Sequence, residues 1–460
     1  MSDPVTPATS TTAPAPAGRE MWTSRFGFIM AAVGSAVGLG NMWRFAYIAS
    51  EHGGAAAVLL YVVLTFAVGV PVMIAEFALG RSAKLSPIGA LRKELGRSWA
   101  PFGFLFILAG ALILAYYGVI AGWVLRYALD TILSPWPADT AGYFSGIASG
   151  IDAIGFQLII MAATIFVVAR GVSSGIERLC AFMMPALFLI LLGLAIWAAT
   201  LPGGGEGYRF YLTPRFEELF SLETLAAATS QAFFSLSLGM GAMLTFASYL
   251  SRQANLPRES ATIAMADFSV AFIAGLVVFP VIYALGLQSA VGESTVGALF
   301  ISLPGAFHAM GSAGRVVGLF FFVALLFGAI TSTVALLEVV VASTMDELKV
   351  RRPVAALGAG LLILLIGLWP ATNINALGFL DAVASNVVLP LGGLIIAIAV
   401  AWKMPRVIEE VRAGASPGIS RMLGGWLWVL RIAVPPLLVV VLYETIPAAI
   451  AAGRVLFGGQ

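Results

Sequence analysis

Residues 34–41 read G-S-A-V-G-L-G-N, and residues 233–242 read F-F-S-L-S-L-G-M-G-A. Each stretch sits inside a long apolar segment, and each is a poor helix, because a glycine in a helix costs about 1 kcal/mol relative to alanine. Both contain Gly-x-Gly: Gly38–Gly40 in the first, Gly239–Gly241 in the second, 201 residues apart. Both have polar neighbours, Ser35 and Asn41 in one, Gln231, Ser235 and Ser237 in the other. Taken singly, either run could be small residues for close helix packing. Taken together, glycine-interrupted apolar segments at corresponding positions of two halves point to an inverted repeat with a binding site at its breaks. Unwinding inside a membrane frees amides and carbonyls that lipid cannot satisfy, so they must line a cavity or hold a solute. Half-helix N-termini offer amides to a carboxylate. Freed carbonyls and hydroxyls suit a hard cation such as sodium.

The whole composition agrees with a membrane setting. The 460 residues are 60% hydrophobic and 10% charged, against about 25% charged in a soluble domain, and the mean hydropathy is +0.98. A net charge of +2 provides no basic stripe for nucleic acid. Long unbroken apolar runs exclude a β-barrel. One cysteine, Cys180, excludes a disulfide framework, and His52 and His308 alone are too few for a metal centre of histidines and cysteines. No catalytic constellation is visible, so the chain does not read as an enzyme.

Eleven apolar segments are countable, at roughly 22–48, 54–80, 99–132, 151–170, 176–199, 222–250, 258–289, 314–347, 353–370, 374–401 and 425–448. The expectation is an all-α polytopic membrane protein with eleven transmembrane helices. Helices 1–5 and 6–10 form a five-helix inverted repeat, with helices 1 and 6 broken mid-membrane. Residues 1–18, rich in Ser, Thr, Pro and Ala, read as a disordered cytoplasmic tail without signal-peptide character. Residues 19–401 read as the ten-helix transport core, and residues 402–460 as a cytoplasmic loop and the eleventh helix. With the N-terminus inside, 18 of the 25 positive charges fall on one face. That bias assigns a cytoplasmic N-terminus and, for an odd helix count, an extracytoplasmic C-terminus.

Ionisable groups at membrane depth are functional candidates. Glu76 reads best as a structural hydrogen-bonding acid. Asp267 lies early in the seventh segment. Thr331, Ser332 and Thr333 stand beside Gly328, where hydroxyls either bond back to helix carbonyls or line a site. Tyr117 is either core packing or a ligand. Arg44 and Asp381, near the outer ends of two segments, are interfacial charges or a gate pair.

Residues 22–45 (W-T-S-R-F-G-F-I-M-A-A-V-G-S-A-V-G-L-G-N-M-W-R-F) closely resemble the first helix of the neurotransmitter:sodium symporter family. So do E-H-G-G (51–54), E-F-A-L-G-R (76–81), Q-A-F-F-S-L-S-L-G-M-G-A (231–242), A-S-Y-L (247–250), I-T-S-T-V-A (330–335), D-E-L (346–348) and L-P-L-G-G (389–393). Eleven helices, Met240 and Asp267 make the bacterial amino-acid branch the most similar. The resemblance implies a sodium-coupled symporter of the bacterial cytoplasmic membrane. It would import hydrophobic or aromatic L-amino acids by alternating access, as a monomer or loose oligomer in lipid. Its partners would be the amino acid and sodium ions, with no nucleic acid. A carrier of another small solute on the same repeat, or a non-transporting amino-acid sensor, stays open beside it.

Residue by residue, the resemblance implies two sodium sites. The first is the Ala36 carbonyl with Asn41, Ser235 and Asp267. The second is the Gly34 and Val37 carbonyls with Gly328, Thr331 and Ser332. The substrate carboxylate would meet the Leu39 and Gly40 amides and the Tyr117 hydroxyl. Its amino group would meet carbonyls near Ala36, Phe234 and Ser235, and its side chain would meet Ile113, Tyr117, Phe234, Ser237, Met240, Ser332 and Leu336. Arg44, Asp381 and the aromatic lid Phe234 would gate one side; Arg19, Trp22, Tyr249 and Asp346 would latch the other, with Arg19 paired to Asp346. Gly175 and Pro185 would permit local unwinding of helix five. Amine carriers have an acid where this chain has Gly38, which argues for a substrate that keeps its own carboxylate. Animal members have Asn in place of Asp267 and need chloride, and Ala271 lacks the hydroxyl or acid found elsewhere in the family. A fixed charge on Asp267 is therefore expected to replace chloride.

Overall fold

The computed structural model describes residues 20–218, 221–286 and 298–458. The predicted tail and the gate residue Arg19 lie outside the described residues. The first apolar segment, α1, is two helices, Arg25–Ala36 and Gly40–Glu51, bent by 62°. Next come α2 (Ala55–Ala83), α3 (Arg97–Leu133), α4 (Ile151–Ala169) and α5 (Val172–Ala198). The sixth, α6, is Leu222–Ser235 followed after a break by Ala242–Ala247. Then follow α7 (Leu256–Ala284), α8 (Gly311–Leu348), α9 (Arg352–Thr372), α10 (Ile374–Lys403) and α11 (Pro417–Phe457). Nine of these are long and apolar enough to span a membrane unbroken, and the bent α1 makes ten. The two halves of α6 account for the remaining predicted segment. No strand occurs among the described residues.

Local chemistry explains the ends. Ser24 accepts the Gly27 amide, Ser221 the Thr224 amide and Asn255 the Arg258 amide, each satisfying one orphan donor at a helix start. The longer connections carry short helices, such as Pro87–Leu95 and Gly205–Leu212. They are too polar to span and hold their form through one buried face.

Packing divides the bundle. α2, α3, α7, α8 and α10 bury most of their central stretch, whereas α4, α5 and α11 bury a third of theirs. On α5 the exposed residues Phe182, Leu189 and Ile196 recur every seven residues, 64–67% exposed. Two helical turns separate them, so they form one lipid-facing stripe.

α5 is continuous through Gly175 and Pro185 in this conformation. No unwound stretch separates them. Val172–Glu177 forms a wide π-type turn that runs directly into Arg178–Ala198, with Pro185 inside the helix. A Cβ on Gly175 would lie 2.1 Å from the Val167 carbonyl oxygen. Close approach of the chain is what requires glycine there.

The contact of α2 with the second half of α6 is as close. A Cβ on Gly80 would lie 2.0 Å from the Leu244 carbonyl oxygen, while one on Gly358 would meet nothing within 4 Å. Gly80→Ala should therefore destabilise by about 1–3 kcal/mol through overpacking, read as a lower thermal midpoint in detergent. Gly358→Ala, in the open interior of α9, should not lower that midpoint and should raise it slightly.

Candidate functional site

The two breaks satisfy each other. The Ser237 hydroxyl donates to the Ser35 carbonyl at 2.8 Å, and the Ser35 hydroxyl donates to Ser237 Oγ at 3.2 Å. Gln231 Nε2 donates to the Gly40 carbonyl at 3.0 Å. Ser237 takes φ 53°, a left-handed conformation unusual for a side-chain-bearing residue, between helix and the glycines at φ 76° (Gly239, Gly241). Two further elements hold this strained turn. Glu76 of α2, fully buried, accepts the Gly239 amide at 2.8 Å and the Leu244 amide at 3.2 Å. From α10, Gly392 comes so close that a Cβ would lie 2.1 Å from the Gly239 carbonyl oxygen.

Beside this turn lies a buried knot of oxygens. Asn41 Nδ2 donates to Ser235 Oγ at 2.9 Å and to Asp267 Oδ1 at 2.6 Å, and Ser235 Oγ donates to Asp267 Oδ2 at 2.7 Å. Tyr61 of α2 donates to the same Asp267 oxygen at 3.0 Å. All four side chains are at most 1% exposed. Across α1, Ser332 Oγ lies 3.4 Å from both the Gly34 and Val37 carbonyl oxygens. Thr331 instead bonds back to Phe327 and Gly328 of its own helix, at 3.0 and 3.1 Å. Thr333 turns away from α1 to Thr164 of α4, 2.8 Å distant.

Between these groups is a cavity of about 30 Å³. Ile113, Tyr117, Phe234, Ser237, Met240, Ser332 and Leu336, the whole expected side-chain pocket, line it with Ala36 and Gly40. That is the space of about one water, so the site is contracted. The Leu39 amide donates to the Tyr117 hydroxyl at 3.0 Å. The two groups expected to share a carboxylate thus meet each other. Leu39 itself lines an outer chamber of about 100 Å³, with Arg44, Tyr116 and Asp381. Phe234 and Tyr117 line both spaces, and Phe234 stands at their boundary.

The gates differ in part from expectation. Arg44 and Asp381 share the outer chamber without an ion pair. Arg44 lies over the Phe234 ring, 4.8 Å from its centroid, and reaches Ser230 Oγ at 3.5 Å. Asp381 accepts from Tyr116 and Ser385, each at 2.8 Å. Both hydroxyls meet the same oxygen, Oδ1, and hold the carboxylate away from the guanidinium. At the opposite, basic end, Trp22 Nε1 donates to the Phe246 carbonyl at 2.9 Å and its ring packs edge-on to Tyr249. Asp346 accepts the Ser86 amide at 2.7 Å. The pairing expected of it with Arg19 lies outside the described residues.

Several participants were not foreseen. Tyr249 donates to Glu338 at 2.6 Å, and Glu338 pairs with Arg352 at 2.6 Å, both buried in the basic end. Glu177 accepts from Thr23 and Ser24 and so ties the start of α1 to α5. Glu338 and Glu177 were legible as acids at segment depth. Tyr61, among apolar residues, gives no signal before the helices are packed.

The model of the sodium:neurotransmitter symporter family matches residues 19–147 and 141–450. The chain belongs to that family. It is similar to the uncharacterized sodium-dependent transporter YhdH of Bacillus subtilis, 36% identical over 92% of this chain and 97% of that one. It is also similar to the sodium- and chloride-dependent GABA transporter 2 of Bos taurus, 27% identical over 76% of this chain and 67% of that one. The crystal structure of MhsT in complex with L-phenylalanine superposes with a TM-score of 0.84 at 38% identity, covering 93% of this chain and all of that one. This symporter-family chain is thus a membrane transporter rather than an enzyme.

Glu76 supplies a test of how the transporter holds its break. Glu76→Leu leaves two buried amides without acceptors, at about 1–3 kcal/mol each. It should lower the thermal midpoint far more than Glu76→Gln, which keeps one acceptor oxygen.

Proposed function

We propose that this transporter couples sodium to the movement of hydrophobic or aromatic L-amino acids. The observation that carries the reading is the cavity between the two breaks. Its walls are apolar at Ile113, Phe234, Met240 and Leu336, and its polar edge is backbone and hydroxyl. An apolar lining favours an apolar side chain, and the thioether of Met240 adapts to several shapes. A carboxylate would join the Leu39 and Gly40 amides and Tyr117. An amino group would take carbonyls near Ala36, Phe234 and Ser235. Opening of the contracted pocket to a bound amino acid is part of the cycle.

Asn41, Ser235, Asp267 and the Ala36 carbonyl would hold one sodium. Ser332, Thr331 and the carbonyls of Gly34, Val37 and Gly328 would hold the second. All are oxygen donors, which suits a hard cation. In the first site Asn41, Ser235 and Asp267 now bond one another, and sodium would take the place of those mutual hydrogen bonds. Alternating access would require the basic end, which we assign to the cytoplasm, to release Trp22, the Glu177 contacts and the Arg19–Asp346 latch. Arg44, Asp381 and Phe234 would close the outer chamber. Gly175 and Pro185 would unwind α5 in that inward-open state.

Purified protein should bind labelled leucine, phenylalanine or tryptophan at least about tenfold more tightly in sodium than in potassium, within the usual range of coupling free energies. Equal binding in the two salts would defeat the reading. Asp267 is proposed to serve as the fixed negative charge that chloride supplies elsewhere. Sodium-driven uptake by the wild type should then be indifferent to chloride, and Asp267→Asn should transport only when chloride is added. Full chloride-free transport by Asp267→Asn would exclude this role.

A further inference from the structure

A groove of about 1140 Å³ opens on the lipid-facing side of the bundle, between α2, α7 and the start of α11. It exceeds the roughly 300–1,000 Å³ of a typical small-molecule site. Its walls are apolar, with Phe66, Ile74, Met265 and Trp426 among them. Arg258, at the start of α7, and Arg421, at the start of α11, both line it at the basic end. The one other polar wall residue, Thr262, donates its hydroxyl to the Arg258 carbonyl. The acid next in sequence, Glu259, is paired with Arg25 at 2.7 Å. Among the described residues no carboxylate lies within 4 Å of either groove guanidinium.

The dimensions favour one kind of occupant. From Arg421 to Val429 the groove follows α11 for about 12 Å at 1.5 Å per residue. One leaflet of a hydrocarbon core of about 30 Å is about 15 Å deep. The groove therefore runs from the charged membrane surface nearly to the midplane, the reach of acyl chains anchored at that surface. Two unneutralised arginines at its mouth suit a phosphate, and a basic pocket between membrane helices is a known means of holding anionic headgroups. A zwitterionic headgroup would bring a cation to a mouth that has no acid for it.

We propose that this groove is a binding site for one anionic phospholipid of the basic-side leaflet. The phosphate lies between Arg258 and Arg421, and the chains lie along α2, α7 and α11. The lipid would bridge α11 to the two helices that carry Glu76 and Asp267. This proposal does not depend on the identity of the transported solute.

Native mass spectrometry of the delipidated full-length protein, titrated with dioleoyl phosphatidylglycerol or dioleoyl phosphatidylcholine, tests it. One phosphatidylglycerol should bind at least about tenfold more tightly than phosphatidylcholine, at roughly 1 kcal/mol per arginine near the surface. Arg258→Gln with Arg421→Gln should remove that preference. Gly425→Trp, where a Cβ meets nothing within 4 Å, fills the groove and should weaken phosphatidylglycerol with both arginines intact. Equal binding of the two lipids by the wild type would overturn the proposal. So would retained preference in the double arginine variant, or unchanged phosphatidylglycerol binding in Gly425→Trp.

Discussion

Two helices broken inside a membrane leave backbone groups that lipid cannot satisfy, and the rest of this structure follows from how those groups are met. Ser35 and Ser237 bond across the breaks, and Gln231 reaches the Gly40 carbonyl. Glu76 takes two amides of α6. An unsatisfied buried polar group costs several kcal/mol in hydrocarbon. The breaks therefore persist only because side chains from α2 and from each other's helices occupy the freed positions. The glycines let those elements approach: Gly80 against Leu244, and Gly392 against Gly239.

The same arrangement concentrates chemistry at one depth. Hydroxyls and carbonyls gather between α1, α6 and α8, with the Asp267 carboxylate beside them and Glu76 behind the α6 break. The surrounding walls are apolar. A site of this kind discriminates by geometry and by the match of a few polar groups, since little charge is present to attract ligands indiscriminately. The contracted cavity belongs to this logic, because the Leu39 amide and Tyr117 hydroxyl satisfy each other across it.

The ends of the bundle are held by different means. At the basic end, buried ion pairs and capping contacts clamp α1 to α5, and α8 to α9, through Glu177 and through Glu338–Arg352. At the other end, Asp381 and Arg44 find separate partners, an aromatic ring and hydroxyls. Removing one partner of a buried ion pair is costly, so Glu338 and Arg352 depend on each other in a way that Arg44 and Asp381 do not.

The eleven apolar segments and the two glycine breaks were readable from the chain alone, while the seven side chains that line the central cavity were named only through the family resemblance. Hydropathy, helix-breaking glycines and contiguous motifs are local properties, and the order of motifs along a chain survives folding. Other partners of those motifs were not readable. Tyr61 reaches Asp267 from 206 residues away, and Arg352 at the start of α9 and Tyr249 in the turn after α6 converge on Glu338. The resemblance also implied an Arg44–Asp381 gate pair, and in this conformation the two side chains take separate partners. Opposite charges sharing a chamber need not pair when nearer hydroxyls hold the acid, and a glycine can serve close packing as well as unwinding. Those choices depend on distances across the bundle, which only the tertiary structure sets.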